Sequence, residues 1–351
     1  MAKNHNNYIS IAKAIVIILM VIGHSGCPPI IHKFIYSFHI PFFFICSGFF
    51  FKPASDFSSC RQFCVKKVKG LYFPFLKWCL PFLLLHNVFF HLNLYNGHYG
   101  YLGHTSHLLS AKEMATNAFY LITKMEYIPQ LVGGFWFLKD LFFASLFAVF
   151  LTFVVRKMKV HPNLIELSFL FAGSIAFSYH PIDIYFFSLK HLFWGATFFF
   201  TGYLLKNVKP DKRILFLCLV AFLLINLSPV ELNFLASGVK LMSLTFVTSI
   251  AGTLLVLKLS QILERTNYLK RFLYYTGNHT LVILGLHFLY FNLIDLLIIH
   301  LHDLSITHLA EFPVMAGHEN YWILYSLVGT LFPILTIYVY DRIKLKIRHQ
   351  S

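Results

Sequence analysis

Apolar stretches long enough to cross a lipid bilayer recur from one end of the chain to the other, and no water-soluble fold has an interior able to bury them all. The stretch FFASLFAVFLTFVV, residues 142–155, carries no ionisable group. Composition extends the point to the whole chain. Over 351 residues the hydrophobic set makes up 58%, and Asp, Glu, Lys and Arg together only 12%, against about 25% charged residues in a soluble domain. Because the runs are continuous and do not alternate every second residue, a membrane β-barrel is excluded. The expected fold class is an all-α polytopic membrane protein.

A formal net charge of +15 would point to nucleic acid in a soluble protein, but its distribution has another cause. Most of the 29 lysines and arginines fall in short segments, at Lys3, Lys52 to Lys69, Arg156 to Lys159, Lys206 to Arg213, Lys258 to Arg271 and Arg342 to Arg348. These alternate with connections nearly free of basic residues, such as 300–320, which holds Asp303, Glu311 and Glu319 and no Lys or Arg. The positive-inside rule places the basic set, and both termini, in the cytoplasm. The charge is a topology signal, and no nucleic-acid partner is expected.

Helical spans of about 17–25 residues fit ten intervals, near 8–25, 34–51, 71–90, 133–155, 163–180, 184–205, 213–228, 235–257, 276–299 and 321–341. The expectation is one integral membrane domain over 1–351, multi-pass in the cell membrane (the inner membrane of a bacterium). It has a long outer connection near 91–132 and a cytoplasmic tail, 342–351. The weakly basic start is followed by no small-x-small cleavage site, so the first apolar run is expected to remain as the first helix.

That run, KAIVIILMVIGHS, has Lys13 at one end and His24 beyond the other. Eleven residues at 100° each come within about 20° of three full turns, so the two side chains share a face. The helical rise separates them by roughly 16 Å, about half the hydrocarbon thickness. Ser10 lies one turn below Lys13 on the same stripe. Ionisable residues in a membrane helix face the bundle interior and mark function; the plainer alternative has Lys13 snorkelling to the headgroups and His24 sitting at the interface. The chain then re-enters with FIYSFHIPFFFICSGFFF, whose His39 directly precedes a helix-distorting Ile40–Pro41 step. Proline frees backbone groups that neighbours or cavity water must satisfy. Two histidines beside irregular backbone fit a polar cavity.

On these residues the chain resembles the acyltransferase 3 family of integral membrane acyltransferases, especially the branch related to fucose 4-O-acetylases. Lys13 and His24 match the family's basic residue and histidine eleven positions apart, with lysine where many members have arginine. Phe38, His39 and Pro41 match its Phe-His-x-Pro motif, and Ser47 and Gly48 its Ser-Gly pair. Further on, VKKVKGLYFPFL, FWFLKDLFF, FFFTGYLLKN and GNHTLVILGLHF are similar to later family segments. Ser10 departs from an aspartate frequent in related sequences, and a lysine at 13 lacks arginine's bidentate fork.

The resemblance implies transfer of an acyl group, commonly acetyl from acetyl-CoA, to a hydroxyl of a cell-surface carbohydrate or its lipid-linked precursor. CoA is anionic and cytoplasmic, which suits Lys13 and the inward cluster Lys66, Lys67 and Lys69 as its binding groups; the same lysines also serve topology. The acceptor hydroxyl needs its proton removed as it attacks, a base role suited to histidine near neutral pH and assigned to His24. His39 orients His24 or the acceptor, or packs a helix start. Asp140 either holds the imidazole tautomer or neutralises a lysine on another helix. Trp136, four residues before it, either stacks on a sugar or pantetheine or belongs to an aromatic belt. Lys190, His191, His287 and Asp295 are intramembrane candidates without roles.

Six cysteines form no CxxC pair and read as small hydrophobes. Five histidines (86, 91, 98, 104, 107) fall between His86 and the start of the fourth span, but no nearby carboxylate or cysteine completes a ligand set, so no metal is expected; acceptor contact is the better role for the outer connection. The rival function is a transporter or flippase of a polysaccharide or lipid-linked intermediate, separable by dependence on acetyl-CoA.

Overall fold

A computed structural model describes residues 7–157, 162–184, 187–230, 232, 234 and 239–350. Lys3, Lys159, residues 185–186 and 235–238 of two expected spans, and the last residue of the tail lie outside the described residues. The helices, in chain order, are α1 (Asn7–His24), α2 (Pro29–Tyr36), α3 (His39–Phe49), α4 (Phe57–Lys67) and α5 (Phe73–Leu84). There follow α6 (His86–His91), α7 (Ala111–Lys124), α8 (Trp136–Val155), α9 (Pro162–Tyr179) and α10 (Leu189–Leu205). The last are α11 (Lys212–Leu227), α12 (Val239–Leu263), α13 (Asn267–Asn278), α14 (Thr280–Leu301) and α15 (Trp322–Gln350). Among the described residues the only strands are the two-residue pair Asp183–Ile184 and Phe187–Ser188, with Asp183 opposite Ser188. The chain is 78% helical, as continuous apolar runs require where lipid cannot hydrogen-bond the backbone.

Each expected span contains a helix, but six stretches among the described residues are long and apolar enough to cross a membrane: Asn7–His24, Pro29–Phe49, Gln130–Val155, Leu241–Leu263, Thr280–Leu301 and Glu319–Ile347. Of the others, α5, α10 and α11 have 12, 17 and 16 residues. Two expected spans are interrupted. The span 34–51 breaks between Tyr36 and His39, so Pro41 sits in the first turn of α3, where its missing N–H costs nothing. The span 71–90 breaks at Leu85, just after Pro81, into α5 and the short α6.

The chain forms two compact units: Met1–His32, Trp78–Phe135 and Ser260–Ser351 make the first, Lys33–Lys77 and Trp136–Leu259 the second. In the first, α1 packs on α13, α14 and α15. Gly277 makes this possible, because a Cβ there would stand 1.7 Å from the Ser10 carbonyl oxygen. In the second, α10 is the central helix, buried along nearly its whole length against α3, α8 and α9. Its Gly202 lets the backbone of α3 approach so closely that a Cβ would fall 2.0 Å from the Ile45 carbonyl oxygen, the small-residue contact typical of membrane helices. Phe44, Trp194, Phe198, Phe199 and Phe234 fill the core beside it. Outer faces are apolar: Phe216, Leu217, Leu224 and Leu227 on α11, and Leu327, Leu331, Leu335 and Val339 on α15, are exposed, a surface suited to lipid and not to water.

Candidate active site

In the first unit α1 carries the stripe read from the sequence. At its N-terminal end the Ser10 hydroxyl donates to Asn278 Oδ1 at 3.0 Å, so the residue standing in for an aspartate docks α1 onto the end of α13. Lys13 follows, half-buried one turn on. At the C-terminal end of α1, the His24 ring lies 5.6 Å from the ring of His287, centroid to centroid, and 5.1 Å from Phe288, which it meets edge-on.

His287 is fully buried on α14. Its Nδ1 lies 3.0 Å from the carbonyl oxygens of both Ile283 and Leu284. Carbonyls only accept, so Nδ1 carries the proton, and in the neutral ring Nε2 is left with a lone pair. That Nε2 is buried without a hydrogen-bond partner among the described residues, a costly arrangement that calls for a functional explanation. Gly134 lies beside His287: a Cβ there would sit 3.9 Å from His287 Cε1.

The second unit holds the other predicted residues. Of the three clustered lysines, Lys66 and Lys69 are exposed, while Lys67 is half-buried and held in place. Its ammonium donates to Ser47 Oγ at 2.8 Å and lies 5.2 and 5.0 Å from the ring centroids of Phe63 and Phe199, within cation–π range. Burial pulls its pKa down to about 8. A π-helical turn, Val68–Tyr72, follows immediately, an irregularity frequent at functional sites.

Asp140 lies with Oδ2 at 3.3 Å from His191 Nδ1, close enough for an ion pair although that oxygen lacks hydrogen-bond geometry. The imidazole beside Asp140 is therefore that of His191. Trp136 stacks on Phe234 at 6.2 Å, and His191 lies 5.7 Å from the same ring, so Trp136, Asp140 and His191 share one cluster. His39 is buried, with Nδ1 2.9 Å from the Ile35 carbonyl and its ring edge-on to Tyr36 at 4.7 Å; it braces the joint between α2 and α3.

Sequence reasoning gave no role to His287 or His191 and used Ser47 only as a motif residue. The segment GNHTLVILGLHF contains His287, but nothing in its spacing says which imidazole it meets. In the long connection near 91–132, Glu113 lies 3.1 Å from His107, a carboxylate the sequence reading left out. It also accepts from the Ser110 N–H and hydroxyl at 2.8 and 2.7 Å, closing a capping box at the start of α7. Among the described residues, no group of three or more metal-ligating side chains forms.

Apolar helices long enough to span a membrane, with an imidazole from α1 set against a buried one from α14, fit a multi-pass membrane protein. The acyltransferase domain of the acyltransferase 3 family matches residues 6–342, nearly the whole chain, and the chain belongs to that family: it is a membrane acyltransferase. No curated protein and no solved structure matches it.

Proposed function

We propose that the protein transfers acetyl from cytoplasmic acetyl-CoA to a hydroxyl of a cell-surface carbohydrate or its lipid-linked precursor. In this reading the chain crosses the cell membrane ten times, with both termini and the basic segments inside. The observation that carries the reading is the contact of His24 with His287 at one end of a helix whose other end bears Lys13.

The acceptor oxygen attacks the thioester carbonyl as His24 takes its proton. A C–O bond forms, the C–S bond breaks, and the proton passes from His24 to the departing CoA sulfur. On substrate binding the lone pair on His287 Nε2, unpartnered among the described residues, takes up one N–H of His24 and so orients the other nitrogen of that ring toward the acceptor as base. Lys67 attracts a phosphate of CoA. The Ser47 contact and two aromatic faces orient the Lys67 ammonium in advance, and pre-ordered groups lose less entropy on binding. Trp136 and Asp140, with His191, form a second polar cluster available to the substrate.

The test is transfer of labelled acetyl from acetyl-CoA to membrane and surface glycans, comparing wild type with His24→Ala at equal protein level. Alkali-labile label present with wild type and lost in the variant is the expected result. Equal label in both removes His24 as the base, and no label in either removes acetyl transfer.

A further inference from the structure

The connection that follows α6 folds into a cleft that neither the imidazole pair nor the lysines explain. It has a volume of about 540 Å³, inside the roughly 300–1,000 Å³ of small-molecule sites. Its walls include His86, Tyr95, His104, Asn117, Tyr127 and Gln130, and no Asp, Glu, Lys or Arg lines it. Several of these groups are fixed in orientation. His86 Nε2 donates to the His107 carbonyl at 3.0 Å, so in the neutral ring its Nδ1 is an acceptor. Gln130 Oε1 accepts from the Tyr101 N–H at 3.0 Å, leaving its amide NH₂ as a donor.

Tyr127 is the unusual member. It is 57% exposed, and its φ of +57° is a left-handed conformation rare for a bulky residue and concentrated at functional sites. Its ring lies 5.5 Å from Tyr120, a rigid aromatic surface that burial does not account for. The cleft is joined to the imidazole site by a short stretch of chain. Gln130 begins the turn Gln130–Phe135, whose Gly134 lies beside His287, and four residues of chain span at most about 14 Å.

We infer that this cleft is a binding subsite for an uncharged, hydroxyl-rich saccharide segment of the acceptor, with Tyr127 as its stacking platform and His86, Asn117 and Gln130 as hydroxyl partners. Aromatic rings offer a face to the C–H side of a sugar ring, while amides and neutral imidazoles both donate and accept. Absence of charge in the lining disfavours phosphate and cation ligands. The inference rests on the reading of the acceptor as a carbohydrate.

The experiment uses the full chain in lipid nanodiscs, probed with an array of unacetylated neutral oligosaccharides and a set of peptides of similar length. It compares wild type, His24→Ala and Tyr127→Gly; the last removes the ring while suiting the left-handed backbone. Wild type and His24→Ala are expected to retain the same oligosaccharides, Tyr127→Gly to weaken them roughly three- to tenfold, and acceptor KM to rise in Tyr127→Gly with kcat unchanged. Equal oligosaccharide binding in wild type and Tyr127→Gly, retention of peptides only, or no retention overturns the subsite. Acetyl transfer with an unaltered acceptor KM in Tyr127→Gly overturns the subsite but leaves the proposed reaction standing. Oligosaccharide binding that depends on Tyr127, in a protein that transfers no acetyl, does the reverse.

Discussion

The imidazole pair of the first unit and the half-buried lysine of the second treat ionisable side chains in opposite ways. His287 has one nitrogen fixed by two carbonyls and the other left without a partner among the described residues, which keeps a lone pair available to orient His24. Lys67 instead has its ammonium satisfied by Ser47 and flanked by Phe63 and Phe199, which keeps a positive charge in one place. A proton-handling site needs an unmet hydrogen-bonding capacity, whereas a site for an anionic donor needs a fixed charge. On the proposed function, the two regions suit different halves of an acyl transfer.

The largest expected effect is that of His24→Ala, which should lower kcat by on the order of 10²–10⁴ while leaving binding of CoA to the purified protein unchanged. A comparable loss of CoA binding would break the division between the regions. Next, His287→Ala should lower kcat by about tenfold or more and shift the pH–rate profile, since the orientation of His24 changes while His24 remains; an unaltered profile would make His287 a packing residue.

Gly277→Ala is expected to destabilise the first unit by about 1–3 kcal/mol, because its Cβ would meet the Ser10 backbone. Thermal unfolding in detergent measures this. Lys67→Met should raise the KM for acetyl-CoA by about tenfold with kcat unchanged, as loss of one charge-assisted contact, whereas Lys66→Met and Lys69→Met, both at exposed positions, should change it less than about twofold.

Lys67 also carries a pH signature. Its pKa falls from 10.5 to about 8 in the fold, so between those values the unfolded chain binds more protons and stability rises with pH. Donor affinity runs the other way, and KM for acetyl-CoA should climb as pH passes about 8. A flat KM through that range would remove Lys67 as a phosphate contact. The smallest effect expected is the difference between Asp140→Asn and His191→Asn. As members of one pair they should impair transfer equally, and a larger loss for Asp140→Asn would mean that the carboxylate acts apart from His191.

Much of this was legible in the chain. Long apolar runs gave helices because lipid leaves the backbone no other partner, and family motifs placed Lys13, His24 and Lys67 among the candidates. Helix breaks were legible only in part. Ile40–Pro41 marked a distortion, but its resolution into two helices with Pro41 in a first turn depends on the packing of His39 against Ile35 and Tyr36. Asp140 illustrates the limit: its spacing put it on a face with Trp136, and the cluster duly contains both, yet the histidine beside it comes from α10, 51 positions further along the chain.

The sequence by itself determined that this chain is a multi-pass helical membrane protein, that it is an acyltransferase, and that one helix bears a lysine and a histidine on one face. These follow from local patterns, in which hydropathy, charge and helical period are properties of neighbouring residues. Tertiary structure alone decided that His24 meets His287, that Lys67 and neither Lys66 nor Lys69 is held by Ser47, and that Asp140 lies beside His191. Each is a contact between different helices. Such contacts depend on how closely backbones approach, as at Gly202 and Gly277, and no residue spacing within a single helix encodes which neighbour it will face.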